Sequence, residues 1–365
     1  MRAALVTAAG KPLELVDDLE LRPPRAGEVR VRVHHCGLCH SDVTVRDMGG
    51  MVPIVLGHEA AGVVEELGSG VTGLAVGDKV VLTPCPPCGA CYWCVRGEAS
   101  LCERSLGVMT ATFPDGTTGL SRRGAYVYRG LNVAAFAEST VVHVTGAIKV
   151  PADTPLDVAC VIGCAVQTGV GAVLNTARVE EGATVLVMGL GGIGLSVVQG
   201  ARLANAARII ASDPVAQRRD TAKALGATDL LDPTSDDVIA TARELTGGIG
   251  VDYAFETAGV SALVTTGFFA ARNGGAIVCV GAPPVDQAVT IAPASLFVIS
   301  GKRLLGCLLG SCNSIRDIPR LLALWRAGRL DLEAMITARR PLTEINQAMD
   351  DLIAARGIRT VLSLQ

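Results

Sequence analysis

The chain has 365 residues, half of them hydrophobic, with 32 basic and 35 acidic side chains and a formal net charge of −3. That length suits about two domains, and the near balance of charge, with no block of one sign, excludes a basic nucleic-acid face or a polybasic membrane-surface segment. The Met1–Val6 start runs into an apolar strand pattern with no basic lead, long apolar stretch or small-residue cleavage site, so no secretory signal is expected and the reading is a cytoplasmic protein.

The first part of the chain reads as β-rich. Val29, Val31 and Val33 alternate with Arg30, Arg32 and His34, the pattern of a half-buried strand. Strands are also expected over 60–67 and 79–82, punctuated by Gly68, Gly70, Gly73 and Gly77, which suggests a barrel-like or sandwich-like region. The apolar stretch 158–174 falls short of the ~20 residues that span a bilayer and carries Gln167 and Thr168, so no membrane segment is expected. Beyond Pro155 the pattern changes. Strands are expected over 184–188, 208–211, 251–255 and 276–280, and helices over 194–205, 215–225, 236–246 and 262–271. Such alternation indicates a doubly wound parallel sheet covered by helices. Helices over 315–327 and 342–355 and a strand over 359–364 complete the chain.

Gly189-Leu-Gly191-Gly192-Ile-Gly194 is a G-x-G-x-x-G run that follows one expected strand and opens a helix. Asp213 ends the next strand, near the expected ~20-residue spacing. Gly189 permits the tight turn, Gly191 lets backbone approach a pyrophosphate, and Gly194 lets helix and strand pack closely. The helix N-terminus offers amide donors to phosphate. Asp213 is placed to accept from ribose hydroxyls and would repel a 2′-phosphate, which favours NAD over NADP. Arg218 and Arg219 act against that inference, because either could reach a phosphate.

Twelve cysteines require an explanation, and five of them fall between Cys85 and Cys102. In a chain of this kind the pattern points to metal before disulfides. Cys88, Cys91, Cys94 and Cys102 supply four soft ligands within one lobe, a set that suits closed tetrahedral zinc. Cys85 reads as an extra, packed thiol. A second set is scattered: Cys36-Gly-Leu-Cys39-His40-Ser41-Asp42, Gly57-His58-Glu59 and Gly163-Cys164. Two thiolates, an imidazole and an open position make a catalytic zinc site, for which the standard example is alcohol dehydrogenase. Spacing alone does not choose among Cys36, Cys160 and Cys164.

These motifs, with Gly62, Gly68, Thr168-Gly169 and Ile358-Arg359-Thr360 in the same order, resemble the zinc-dependent alcohol dehydrogenases of the medium-chain dehydrogenase/reductase superfamily over essentially the whole chain. The pattern is most similar to the long-chain group with liver-type alcohol dehydrogenase and glutathione-dependent formaldehyde dehydrogenase. The resemblance implies a GroES-like, β-rich catalytic domain over 1–165 and 309–365 and a Rossmann domain over 166–308, with the active site in the cleft between them. It implies Cys39, His58 and Cys164 as ligands of a catalytic zinc, Glu59 just behind the metal, and Cys88, Cys91, Cys94 and Cys102 around a structural zinc. Asp42 would orient His58, and Ser41 would touch the substrate oxygen. His40 and Arg359 would face the cofactor pyrophosphate, and Thr168, Gly192, Val280 and Arg218 would join the glycine motif around NAD. Cys36 is not a ligand in this scheme, and His34, His35 and His143 match no functional position.

The implied reaction is reversible oxidation of an alcohol to an aldehyde or ketone, zinc acting as Lewis acid and hydride passing to NAD. Two positions depart from the family pattern. Thr44 stands where a relay histidine is common, and Pro84 where the substrate pocket is often aromatic. Val108, Phe136 and Leu309 are candidates for lining that pocket. The long segment between Cys102 and Val141 resembles the dimeric members, so a homodimer is expected. A thiol-dependent formaldehyde dehydrogenase or a polyol dehydrogenase shares the architecture. A non-catalytic NAD-binding scaffold would have no use for a second, open metal site.

Overall fold

Period-two burial shapes the central strand of the β-rich part. In the computed structural model, which describes residues 1–284 and 286–364, Val29, Val31 and Val33 are at most 1% exposed while Arg32 faces solvent. Contacts divide the chain into two units, Met1–Ala165 with Cys312–Gln365, and Val166–Ser311. The second boundary thus falls three residues beyond the expected one.

The first unit contains β1 (Ala3–Val6), β2 (Glu14–Val16), β3 (Leu19–Leu21), β4 (Glu28–Gly37), β5 (Ile54–Val55), β6 (Glu59–Leu67), β7 (Lys79–Leu82), β8 (Leu120–Arg122), β9 (Ala125–Arg129), β10 (Ser139–His143) and β11 (Ala147–Lys149). The second contains β12 (Thr184–Met188), β13 (Arg208–Ser212), β14 (Asp229–Leu231), β15 (Val251–Glu256), β16 (Ala271–Cys279) and β17 (Arg303–Gly306). The chain then returns to the first unit with β18 (Ile336–Pro341) and β19 (Arg359–Ser363).

One sheet of the first unit runs β2-β1-β5-β9-β8-β3, and the other β11-β7-β6-β4-β19-β18 with β10 also on β4. Strand β4 organises the second sheet. It pairs with β6 along its length, with β10 over 28–32 and with β19 over 35–37. The β4–β6 ladder is irregular between Val33 and His35, and past that point Cys36 and Gly37 are both buried. A bulge re-aims the side chains that follow it, and here those residues lead directly to Cys39 and the helix His40–Met48. The short strands β2, β3, β5, β8 and β9 were not expected. Most are two or three residues long, and β9 places Arg129 at a buried position, so neither shows a readable apolar alternation.

In the second unit all pairings are parallel and the order is β14-β13-β12-β15-β16-β17. That is the order of a doubly wound dinucleotide-binding sheet, whose chain reverses direction of growth beside β12. The strands are nearly continuous apolar runs because both faces are covered: Val185, Leu186, Val187, Ile210 and Ala211 are fully buried. The helices Gly192–Leu203, Ala216–Ala224, Val238–Glu244 and Ser261–Ala270 alternate with the strands, within two residues of the expected limits at most ends. Among the described residues no single helix is long and apolar enough to cross a membrane; Leu156–Gly163 and Ala165–Ala177 pass that test only together, as a bent pair.

Candidate active site and metal centres

Two ligand clusters form in the first unit. The Sγ atoms of Cys88, Cys91, Cys94 and Cys102 lie within 4.8 Å of one another, with Cys88–Cys94 at 4.0 Å and Cys91–Cys102 at 3.8 Å. Thiolates at ~2.3 Å around a tetrahedral ion have sulfurs about 3.8 Å apart. No disulfide forms among the described residues, and these four sulfurs fit zinc. Backbone amides prepare the sulfurs for the charged form: Cys88 N–H donates to Cys102 Sγ (3.2 Å), and Cys91 N–H to Cys88 Sγ (3.2 Å). Cys85 stays outside the cluster, buried, and desolvation pushes its thiol up to about 11.

The second cluster joins Cys39, His58, Glu59 and Cys164, whose ligand atoms also lie within 4.8 Å of one another, all four residues being buried. Three separate pieces of chain bring them together. Cys39 precedes the helix just after β4, His58 immediately precedes β6 and Glu59 opens it, and Cys164 follows the 3-10 turn Cys160–Gly163. Cys36 and Cys160 are buried nearby but lie outside the cluster, which resolves the choice that spacing left open.

Asp42 holds this arrangement. It is fully buried, and its Oδ1 accepts from Gly57 N–H (3.0 Å) and lies 3.2 Å from His58 Nδ1, while Oδ2 accepts from Cys39 N–H (3.1 Å). A carboxylate at Nδ1 fixes the proton there and leaves Nε2 as the electron-pair donor. Glu59 Oε1 accepts from Ala165 N–H (3.2 Å), but its buried Oε2 has no hydrogen-bond partner. Burial raises this carboxyl to about 7 despite the Arg359 guanidinium beside it. A buried carboxylate oxygen that accepts no hydrogen bond, set among two thiols and an imidazole, suits a cation site. Gly37 faces Glu59 across the ladder, and a Cβ there would come 2.3 Å from Oε2.

The remaining expected residues take the following positions. Ser41 Oγ lies 3.8 Å from Cys39 Sγ. Thr44 is exposed, and its hydroxyl donates to the His40 carbonyl one turn back (3.1 Å). His40 is exposed at the first position of the helix. Arg359 is buried; its Nη1 donates to the Leu38 carbonyl (2.6 Å), and its Nε lies 3.5 Å from Glu59 Oε2. This contact was not legible, because it joins residues three hundred positions apart. Phe136 is not a pocket residue: it is fully buried, and its backbone and ring sit where a Cβ on Gly57 would go. Val108 is half-buried in a short helix, and Leu309 belongs to the second unit.

In the second unit the glycine motif follows β12 as expected. Gly189 has φ +90°, and a Cβ on Gly194 would come 1.8 Å from the Gly189 carbonyl oxygen. Gly191, just before the helix Gly192–Leu203, is different: a Cβ there would meet no protein atom within 4 Å. Nothing inside the protein requires that glycine, and the open space over a helix N-terminus can take a phosphate. Asp213 Oδ2 accepts from Leu190 N–H (2.7 Å) and Oδ1 from Val215 N–H (2.8 Å), each oxygen keeping a further lone pair for a ribose hydroxyl. Arg218 Nη1 lies 3.9 Å from Asp213 Oδ2. Arg219 donates to the Asp213 carbonyl (2.6 Å) and pairs with Asp232 (3.0 Å). Thr168 and Val280 are buried, on the helix Ala165–Gly171 and just after β16.

A β-rich unit with two thiol-rich metal clusters and a doubly wound nucleotide-binding unit define a zinc-type oxidoreductase. Comparison with known proteins agrees. Residues 25–152 match the family model of the alcohol dehydrogenase GroES-like domain, and residues 192–326 that of the zinc-binding dehydrogenases. An alcohol dehydrogenase zinc-binding domain protein from Burkholderia ambifaria is 37% identical, with 100% of this chain and 98% of that one covered and a TM-score of 0.93. Benzyl alcohol dehydrogenase from Acinetobacter calcoaceticus is 31% identical over 100% and 99%, with a TM-score of 0.92. A zinc-binding dehydrogenase from Sinorhizobium meliloti 1021, solved bound to NADP, is 28% identical over 99% and 98%, with a TM-score of 0.80. The chain belongs to the zinc-binding dehydrogenases of the medium-chain dehydrogenase/reductase superfamily.

Proposed function

We propose that this protein is an NAD-linked alcohol dehydrogenase that interconverts a primary alcohol and its aldehyde. The observation that carries the proposal is the buried Cys39–His58–Cys164 donor set with Glu59 Oε2, which accepts no hydrogen bond, beside it. A scaffold protein would need only the closed four-cysteine set.

When bound, zinc supplies Lewis acidity at the alcohol oxygen and NAD supplies a hydride acceptor. Cys39, His58 and Cys164 would hold the metal, and Asp42 keeps His58 in the tautomer that can do so. Arg359 holds Glu59 near the metal position as an electrostatic neighbour. Ser41, beside Cys39, is placed to take the alcohol proton. The Thr44 hydroxyl is committed as a donor to the His40 carbonyl, so it can orient a water but is no base. Gly189, Gly191, Gly192 and Gly194 would receive the pyrophosphate, with Thr168 and Val280 beside the cofactor.

Asp213 supports NAD over NADP, because its buried carboxylate would face a 2′-phosphate and Arg219 is already engaged. The NADP-bound relative is the reason to measure this directly. The relative that acts on benzyl alcohol makes an aromatic primary alcohol the natural first substrate. The two chains of a homodimer would meet at β17, one of the two edge strands of the second unit's sheet. The neighbouring helix Ala294–Ser300 buries none of its own residues and exposes Val298 (77%) and Ile299 (75%).

The test is a panel of aliphatic, aromatic and polyol substrates and a hydroxymethyl-thiol adduct, followed by nicotinamide absorbance with each cofactor. Turnover of a plain primary alcohol with NAD, and relative improvement of NADP in Asp213→Gly, is the expected result. Turnover of the thiol adduct alone, or better use of NADP by the unsubstituted protein, would replace the proposal.

A further inference from the structure

Arg129, the last residue of β9, is 3% exposed, yet no carboxylate among the described residues lies within salt-bridge distance of it. Its Nη1 donates to Asn132 Oδ1 (3.0 Å), its Nη2 to the carbonyls of Asn132 and Val141, and its guanidinium lies 3.9 Å from the centre of the Phe113 ring. Neutral acceptors and a ring satisfy hydrogen bonds without cancelling charge. A buried cation without a counter-charge is costly, and burial pulls this guanidinium down to about 9. Glu28, which lines the same cleft, is already committed. It accepts two bonds from Arg22 (2.6 and 2.8 Å) and one from Arg25 N–H (2.8 Å).

Arg129 lines a cleft of about 310 Å³ in the first unit, together with Arg25, Arg104 and His143. Arg25 pairs with Asp115 at 2.6 Å. Arg104 has no acid partner among the described residues and lies 3.3 Å from His143 Nδ1. That nitrogen accepts from Thr145 N–H (3.2 Å), so the ring carries its proton on Nε2 as a further donor. With Arg22 behind the Phe113 ring, four guanidiniums face two carboxylates, Glu28 and Asp115. The excess of positive charge is concentrated on Arg104 and Arg129, at the rim and the floor of one cleft.

We propose that this cleft binds a small oxyanion, the carboxylate or phosphate group of a metabolite, between Arg104 and Arg129. The cleft borders the four-cysteine lobe, with Arg104 two residues beyond Cys102, but uses none of its four sulfurs, and the inference does not depend on the activity proposed above. An oxyanion there accepts from two guanidiniums and supplies the charge that Arg129 lacks. Asn132 links the site to its surroundings by donating to the carbonyls of Pro84 and Arg104 (2.9 Å each).

Isothermal titration of the zinc-loaded full chain with inorganic phosphate, acetate and chloride at matched ionic strength tests this. Saturable binding of phosphate or acetate with one site per chain, absent for chloride, is expected, and the responding anion identifies the group. Arg104→Gln leaves the Asn132 contacts intact because these use the Arg104 backbone. It should weaken the binding at least tenfold at unchanged zinc content, and Arg129→Met should abolish it. If Arg129→Met does not fold, Arg104→Gln with His143→Gln decides the matter. Responses equal to those of chloride, or saturable binding that Arg104→Gln leaves untouched, would overturn the proposal.

Discussion

Asp42 shows how much one side chain decides. With three contacts it fixes the backbone of Cys39 and Gly57 and the ring of His58, so it orients ligands from two pieces of chain without being one. The motif made Asp42 visible, because it lies three residues after Cys39. The Glu59–Arg359 contact was not visible, since Arg359 reaches the site only through the β4–β19 pairing. Gly37 was visible only as a spacer between two cysteines; its need to be glycine comes from Glu59 on the neighbouring strand. At this scale the proton path is the sharpest point. Ser41 stands beside Cys39, while the Thr44 hydroxyl donates into its own helix. Ser41→Ala should therefore cut kcat within the roughly 10²–10⁴-fold range of a positioned proton transfer, and Thr44→Ala should change it little. Equal losses in the two variants, with cofactor affinity unchanged, would make Thr44 an obligatory member of the relay.

The strands of the second unit were legible because burial on both faces leaves uninterrupted apolar runs, and their pairing follows from the βαβ alternation. Residues 184–188 and 79–82 matched their strands at both ends. The β2-β1-β5-β9-β8-β3 sheet of the first unit was mostly hidden. Strands of two or three residues such as β5 and β8 are too short for any period to show, and they exist because β1 and β9 are there to pair with. At the sheet edge, β17 and the helix Ala294–Ser300 present apolar side chains that a single chain leaves in water. If a second copy covers them, Val298→Asp combined with Ile299→Asp should convert a species of two chains to one in light scattering. A dimer that survives both changes, or a native protein that is already monomeric, would place the contact elsewhere or remove it.

For the molecule as a whole, the two candidate metal clusters would do different work although they draw on the same chemistry. The four-cysteine lobe closes on itself within fifteen residues, so its ion would stabilise a loop-rich segment that has little core of its own. The Cys39–His58–Cys164 set gathers residues from β4, β6 and a turn, whose sheet is held by its own hydrophobic core, so the fold should outlast the loss of that ion. Zinc content and alcohol-dependent NADH formation, measured on the same preparations of the native protein and of Cys39→Ala, test this account most directly. The native protein should hold two zinc ions per chain and turn over. Cys39→Ala should hold one, keep its fold and lose turnover. A fully active native preparation with one zinc or none, or a Cys39→Ala protein that still oxidises the alcohol, would contradict it.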